Sequence, residues 1–186
     1  VAADDARGRP VFVIGGSLGG LLAIASALEP HESLAGVVAG SPALDASGAS
    51  PLMRKLLPLL ARVAPRARFD PGLDVLGIAR DSAALAAWLD DPLMQIGRIT
   101  PSLAAATLAG IDRVMHHADD LAVPLFLLHG LDDRVVPPDG TIALHALAGS
   151  RDKTLRTYPG AWHHLFLDDV RDEVARDIAA WLAART

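Results

Sequence analysis

Cysteine is absent from all 186 residues. Disulfides, thiolate nucleophiles and thiolate metal sites are therefore excluded. No apolar run approaches the roughly 20 residues that a membrane-spanning helix needs. Positive charge is in the minority: 17 Lys and Arg face 22 Asp and Glu, for a formal net charge of −5. The basic residues are scattered, so no nucleic-acid partner is expected. The first ten residues carry Asp4, Asp5, Arg7 and Arg9 instead of the apolar stretch of a signal peptide. The expected location is cytoplasmic, although a secreted enzyme without cysteine has the same composition. The chain opens on Val1 rather than Met, which fits either processing or sequence upstream. What is present is 51% hydrophobic and 21% charged residues, the composition of a folded domain with a real core.

Periodicity divides the chain into two textures. Residues 10–14 form a short apolar, β-rich run that reads as a strand buried on both faces. A glycine-dense turn over 15–20 follows, then a helix over 21–28 that ends near Pro30. Further strands are predicted over 34–39, 123–128 and 154–158. A helix is predicted after Pro137-Pro138, since proline suits a first helical turn. A last helix is expected from about 168 to 184, with Val170, Val174, Ile178, Trp181 and Leu182 on one face and Asp168 or Asp169 as its cap. Strand–helix alternation at both ends argues for a parallel sheet covered by helices. Residues 43–119 lack a convincing strand and hold amphipathic segments over 52–63, 83–89 and 103–116. They read as a helical insertion, which makes 1–42 and 120–186 the core and 43–119 the cap.

Chemistry concentrates in three places. Gly15-Gly16-Ser17-Leu18-Gly19 matches G-x-S-x-G at a strand-to-helix junction. There a serine on a tight turn projects above the sheet, and the N–H of the next residue, Leu18, is an oxyanion-hole donor. Gly15 and Gly19 are expected to let neighbouring backbone approach without Cβ clashes. A phosphate loop is the competing reading, but no lysine follows and the dinucleotide fingerprint is missing. Asp133 lies just after the third strand and His163 just after the fourth, at the sheet edge where α/β folds keep their sites. The order Ser, Asp, His is that of the α/β-hydrolases. His163 is then the general base toward Ser17, and Asp133 orients it. Asp132 and His164 are the neighbouring rivals for acid and base. His129 reads as a structural histidine bonding backbone near the acid turn, and His116-His117 points in different directions on a helix and so makes a poor metal pair. Leu52, Leu56 and Leu60 read first as cap core, and Arg54, Lys55, Arg62, Arg66 and Arg68 beside them allow peripheral membrane or lipid contact. Trp88 reads as cap packing, and Trp162 as a candidate pocket wall.

These segments resemble the monoacylglycerol lipase, lysophospholipase and serine aminopeptidase branch of the α/β-hydrolases. That branch shows G-H-S-M-G-G, then S-P-A-L, a helical cap, H-G-x-x-D-R-V-V-P and Y-P-G-x-x-H. Here stand Gly15 to Gly20, Ser41-Pro42-Ala43-Leu44, Asp91-Pro92-Leu93 within the cap, His129 to Pro137, and Tyr158 to His163. The resemblance covers nearly the whole chain. It implies an α/β fold with a mostly parallel sheet, the acid at Asp133, the base at His163, and no need for a cofactor or metal. The substrate it implies is an acyl ester or monoacylglycerol-like small molecule; an amide, thioester or peptide on the same triad is the alternative. A non-catalytic remnant that binds a ligand or partner is the reading from another class.

Two departures stand out. Gly16 replaces the branch's usual histidine, which is expected to widen the pocket floor. The fold's first strands, with the loop that supplies a second oxyanion donor, have no counterpart after Val1. One such donor contributes about 2.7–4 kcal/mol. The strand at 10–14 would then have an unpaired edge. The expectation is that an upstream segment of the same protein, or a second copy of the chain, completes the sheet.

Overall fold

The computed structural model describes residues 9–30, 34–45, 47–94 and 97–186. Four parallel strands, β1 (Val11–Gly16), β2 (Leu34–Gly40), β3 (Leu125–Gly130) and β4 (Lys153–Tyr158), form one sheet in the order β1-β2-β3-β4. The helices are α1 (Leu18–Ser26), α2 (Pro51–Val63), α3 (Ser82–Leu89), α4 (Pro101–His116), α5 (Asp139–Leu147) and α6 (Arg171–Ala183). This is the α/β architecture expected from the alternating pattern, with helical insertions between β2 and β3.

β2 and β3 occupy the middle of the sheet and consist largely of Val, Leu and Ala. Val37, Val38, Ala39, Leu125, Leu127 and Leu128 are all 1% exposed or less. Such strands must be covered on both faces. On one face α1, α4 and α5 supply Leu21, Ile24, Ile111, Val114 and Leu144. On the other, α6 supplies Val174, Ile178 and Trp181 against Val38, Phe126 and Leu128. The edges behave differently. β4 alternates, with Thr154 and Arg156 exposed. β1 departs from the fully buried strand expected at 10–14: Val11 to Val13 are partly buried and Ile14 is 51% exposed. Among the described residues β1 pairs with β2 alone, while Val13 and Phe12 still pack against the cores on the two faces of the sheet.

Local sequence sets the helix ends. Pro51 and Pro101 each sit in a first helical turn, where no N–H is needed. Ser50 and Thr100 cap these helices by accepting from Met53 and Leu103 N–H at 3.2 and 3.1 Å. Asp81 caps α3 through the N–H groups of Ala83 and Ala84. Two expectations need correction. α1 begins at Leu18, directly after the nucleophile-type turn, not at Leu21. α6 begins at Arg171, and neither Asp168 nor Asp169 caps it. The Asp168 carboxylate, fully buried, accepts instead from Trp162 N–H at 3.1 Å and Asp169 N–H at 2.8 Å.

The insertion contains its own surprise. In α2 only Leu57 is buried, while Leu52, Met53, Leu56, Leu59, Leu60 and Val63 are exposed. The reading of Leu52, Leu56 and Leu60 as cap core is therefore overturned, because α2 packs on α4 along one narrow face. α4 reaches further inward, with Ile111 and Val114 in the sheet's own core.

Gly36 shows how closely α6 approaches the sheet. A Cβ there would lie 2.7 Å from Trp181 Cη2 and 3.0 Å from the Pro124 carbonyl. The Trp181 ring is held by stacking on Phe126 at 5.6 Å and edge contact with Phe12 at 5.8 Å. Gly36→Ala should therefore destabilise the fold by about 1–3 kcal/mol through overpacking. Urea unfolding checks this; a variant with the parent's midpoint would mean that the α6 contact is slack.

Candidate active site

β1 ends in a turn that only this local sequence can make. Ser17 has φ +51°, a left-handed value that non-glycine residues seldom adopt. The turn is held from several sides. Ser17 N–H donates to the Gly40 carbonyl at 2.9 Å, and its own carbonyl accepts from Leu21 and Ala43 N–H at 3.1 and 3.0 Å. Gly15 is required because a Cβ there would collide with the Gly19 carbonyl. Gly19 itself meets nothing within 4 Å at its own Cβ position; of the two glycines expected to prevent a clash, only Gly15 does so through its missing side chain. Leu18 opens α1, so its N–H has no acceptor within the helix.

The turns after β3 and β4 are laced together. Leu131 and Asp132 N–H donate to the carbonyls of Tyr158 and Ala161, both at 3.0 Å. Gly130 permits this, since a Cβ there would collide with the carbonyls of Ala161 and Trp162. Asp133 points inward and is buried, while Asp132 lies exposed. The Asp133 Oδ1 accepts from Val135 and Val136 N–H at 2.8 and 2.9 Å. The Oδ2 accepts from His163 Nδ1 at 2.7 Å and from His129 Nε2 at 3.1 Å. His163 Nε2 lies 2.8 Å from Ser17 Oγ.

The structure thus brings Ser17, Asp133 and His163 together, and leaves Asp132 and His164 outside the chain of hydrogen bonds. With Nδ1–H donating to the carboxylate, Nε2 carries a lone pair and accepts the Ser17 O–H. Such an arrangement can draw the proton from a serine as its oxygen attacks, and can stabilise the imidazolium that forms. Burial works to raise the Asp133 carboxyl. The donors outweigh it: His129 and His163 through hydrogen bonds, the His163 charge, and Val136 N–H together hold the group well below the usual carboxylate range.

A cavity of about 430 Å³ opens beside Ser17. Ile14, Trp88, Met94, Leu165 and Phe166 give it apolar walls, and Gly15, Gly16, Gly40, His163 and His164 complete the lining. Gly16 is exposed, and the nearest atom to a Cβ there is the Gly40 carbonyl at 3.7 Å, so the space a larger side chain would take is open. Trp162 is not among the lining residues; its indole lies under the Arg134 guanidinium at 5.1 Å. Trp88, read from sequence as packing, faces the cavity and meets His164 edge-on at 6.2 Å. His164 Nδ1 is buried without a partner, and burial, then the neighbouring His163, lowers its pKa. The insertion is tied to this region: His164 N–H donates to the Ile78 carbonyl at 2.7 Å, Arg80 to the Gly160 carbonyl at 2.9 Å, and Arg134 pairs with Asp74 at 2.7 Å.

Two groups were not legible as part of the site. His129 does bond backbone, at the Val136 carbonyl, but it also reaches the acid itself. Asp168 clamps Trp162 N–H beside the base. Only the five-residue reach from His129 to Asp133 carried a signal in sequence. His116 and His117 meet edge-to-face at 4.9 Å on an exposed helix end, and His117 pairs with Asp120. Among the described residues no three His, Cys, Asp or Glu side chains are placed to hold a metal, and no helix is long and apolar enough to cross a membrane.

The chain is similar to known proteins over nearly its whole length. A monoacylglycerol lipase of Mycolicibacterium smegmatis is 31% identical over 186 residues, covering 99% of this chain and 66% of that protein. The monoglyceride lipase of Homo sapiens is 34% identical, covering 98% of this chain and 61% of that one. The crystal structure of the Paleococcus ferrophilus monoacylglycerol lipase superposes with a TM-score of 0.89 at 33% identity, covering 98% of this chain and 71% of that one. The chain therefore spans less than two thirds of the length of the two curated relatives. The family model for serine aminopeptidase, S33, matches residues 1–170, and on that match, with the parallel sheet and the serine turn that ends β1, the chain belongs to this family of α/β-hydrolases.

Proposed function

We propose that this protein is a serine hydrolase that cleaves carboxylic esters through an acyl-enzyme on Ser17. The observation that carries the proposal is the unbroken line from Ser17 Oγ to His163 Nε2 at 2.8 Å and from His163 Nδ1 to Asp133 Oδ2 at 2.7 Å. Ser17 attacks the acyl carbon while His163 takes its proton. His163 then protonates the leaving alcohol, and water repeats the sequence to release the acid. Leu18 N–H is assigned to the developing oxyanion. No metal or organic cofactor enters this scheme.

The proposed substrate is a monoacylglycerol-like ester. The apolar cavity walls support an acyl chain, and the relatives named as monoacylglycerol lipases support the headgroup. Residues 43–119 are assigned as the cap over this cavity, supported by Trp88 and Met94 in its lining. The exposed leucines of α2, flanked by Arg54, Lys55 and Arg62, are assigned to contact with a lipid surface, at which the acyl ester is delivered. The proposed setting is the cytoplasm. The outer edge of β1 is assigned to a further strand from an upstream segment, supported by its one-sided pairing and by the greater length of the relatives.

Ser17→Ala should cut hydrolysis of a short p-nitrophenyl ester and of monoacylglycerol by about a thousandfold or more while the fold is retained. The parent should also label rapidly with a fluorophosphonate probe, and the variant should not. A parent that does not label is a ligand-binding remnant, and faster turnover of aminoacyl anilides than of esters makes it a peptidase.

The Asp133 carboxyl yields a second expectation. Its folded pKa is depressed, so its stabilising contribution is fully present above the unfolded value of about 4. That contribution declines progressively as pH falls from the unfolded value toward the lower folded one. Urea midpoints of parent and Asp133→Asn, followed from about pH 6 to about pH 3, should therefore converge as pH falls. A gap that stays constant would mean that the buried carboxylate contributes no pH-dependent stability.

A further inference from the structure

His129 is the penultimate residue of β3, four before Asp133, and its side chain is wholly buried. Its ring has three partners. Nε2 lies 3.1 Å from Asp133 Oδ2 and 3.0 Å from the Val136 carbonyl; Nδ1 lies 2.7 Å from Thr141 Oγ1. Both neighbours of Nε2 are acceptors, so Nε2 must carry the proton and share it between them. Nδ1 then accepts the Thr141 hydroxyl proton. Thr141 is itself 1% exposed in the first turn of α5. Its hydroxyl thus gives Nδ1 a buried partner and pins the ring from the side opposite the acid.

We propose that His129 is a positioning residue: with its proton on Nε2, it holds Asp133 Oδ2 at the point where that same oxygen receives His163 Nδ1–H. The proposal rests on the assignment of Asp133 and His163 to the hydrolytic site. Val135 and Val136 N–H fill Oδ1 alone. Without His129, Oδ2 is left with His163 alone, and the carboxylate can swing about its Oδ1 grip, carrying the imidazole with it. Oδ2 then leaves the plane and direction that His163 needs. His129 also ties the Val136 carbonyl, so the acid's side chain and the backbone that follows it are referenced to one rigid ring on a central strand. A histidine placed only to fill core space would need none of these contacts, and an apolar side chain would serve.

The test uses His129→Gln, His129→Leu and Thr141→Val in the full chain, with thermal melting to establish folding. Gln places an amide N–H near the Nε2 position, and Leu fills volume without a donor. Two readouts are followed. One is the low-field proton NMR resonance of His163 Nδ1–H on Asp133, which needs no substrate. The other is kcat and KM on a short p-nitrophenyl ester. His129→Leu should displace or abolish the resonance and lower kcat about 10- to 100-fold, the range for losing a hydrogen bond to a charged group, with KM nearly unchanged. His129→Gln should restore the resonance and most of kcat. Thr141→Val, which removes the Nδ1 partner that pins the ring, should weaken both. A folded His129→Leu with parental resonance and kcat overturns the proposal, as does a His129→Gln that falls as far as His129→Leu. If His129→Leu does not fold, an unchanged Thr141→Val overturns it. A parent with no esterase activity defeats the functional reading alone, because the resonance still reports on His129.

Discussion

Everything in the site is referenced to one carboxylate taken out of water. Asp133 is buried, and a buried carboxylate is costly unless its lone pairs are filled. Four N–H groups fill them: two from the backbone that follows it, one from the histidine on β3, and one from the histidine after β4. The demand for four donors in one small volume draws the ends of β3 and β4 together. It explains why Gly130 has no room for a Cβ and why Asp132 is left outside. The serine turn then needs only to arrive from β1 at the right height, which the parallel register sets through Gly16 and Gly40.

Much of this was legible before any coordinates. Parallel strands read clearly at β2 and β3 because strands covered on both faces leave continuous apolar runs, with no alternation to interpret. The serine, acid and base were legible because each follows a strand, in the order Ser, Asp, His, and because Gly15 marks the tight turn; the need for Gly130 and Gly160 in the two crossing loops emerges only in three dimensions. What was not legible has a common cause. The exposure of Ile14 and of the α2 leucines depends on what lies opposite them in space, and one chain's periodicity says only that an apolar face exists. Asp168 looked like a helix cap because a carboxylate before a helix usually is one; here the backbone N–H of Trp162, six residues back, competed for it. Trp162 likewise gave no sign that Arg134 would cover its ring.

The insertion divides by partner. α4 is shared with the sheet core through Ile111 and Val114, whereas α2 leans on α4 and turns most of its leucines outward. Stability should therefore fall along the path from sheet to α4 to α2, since buried apolar contacts thin out in that order. The outermost element is thus the one with the least to lose by moving.

Residues 74–81 sit between these regimes and behave as a lever. The Ile78 carbonyl holds the N–H of His164, and Arg80 holds the carbonyl of Gly160, so this segment grips the β4 turn on both sides of His163. The loop that carries His163 is consequently tied to this part of the insertion. Displacing residues 74–81 therefore costs the hydrogen bonds at Gly160 and His164, the two backbone anchors that bracket His163.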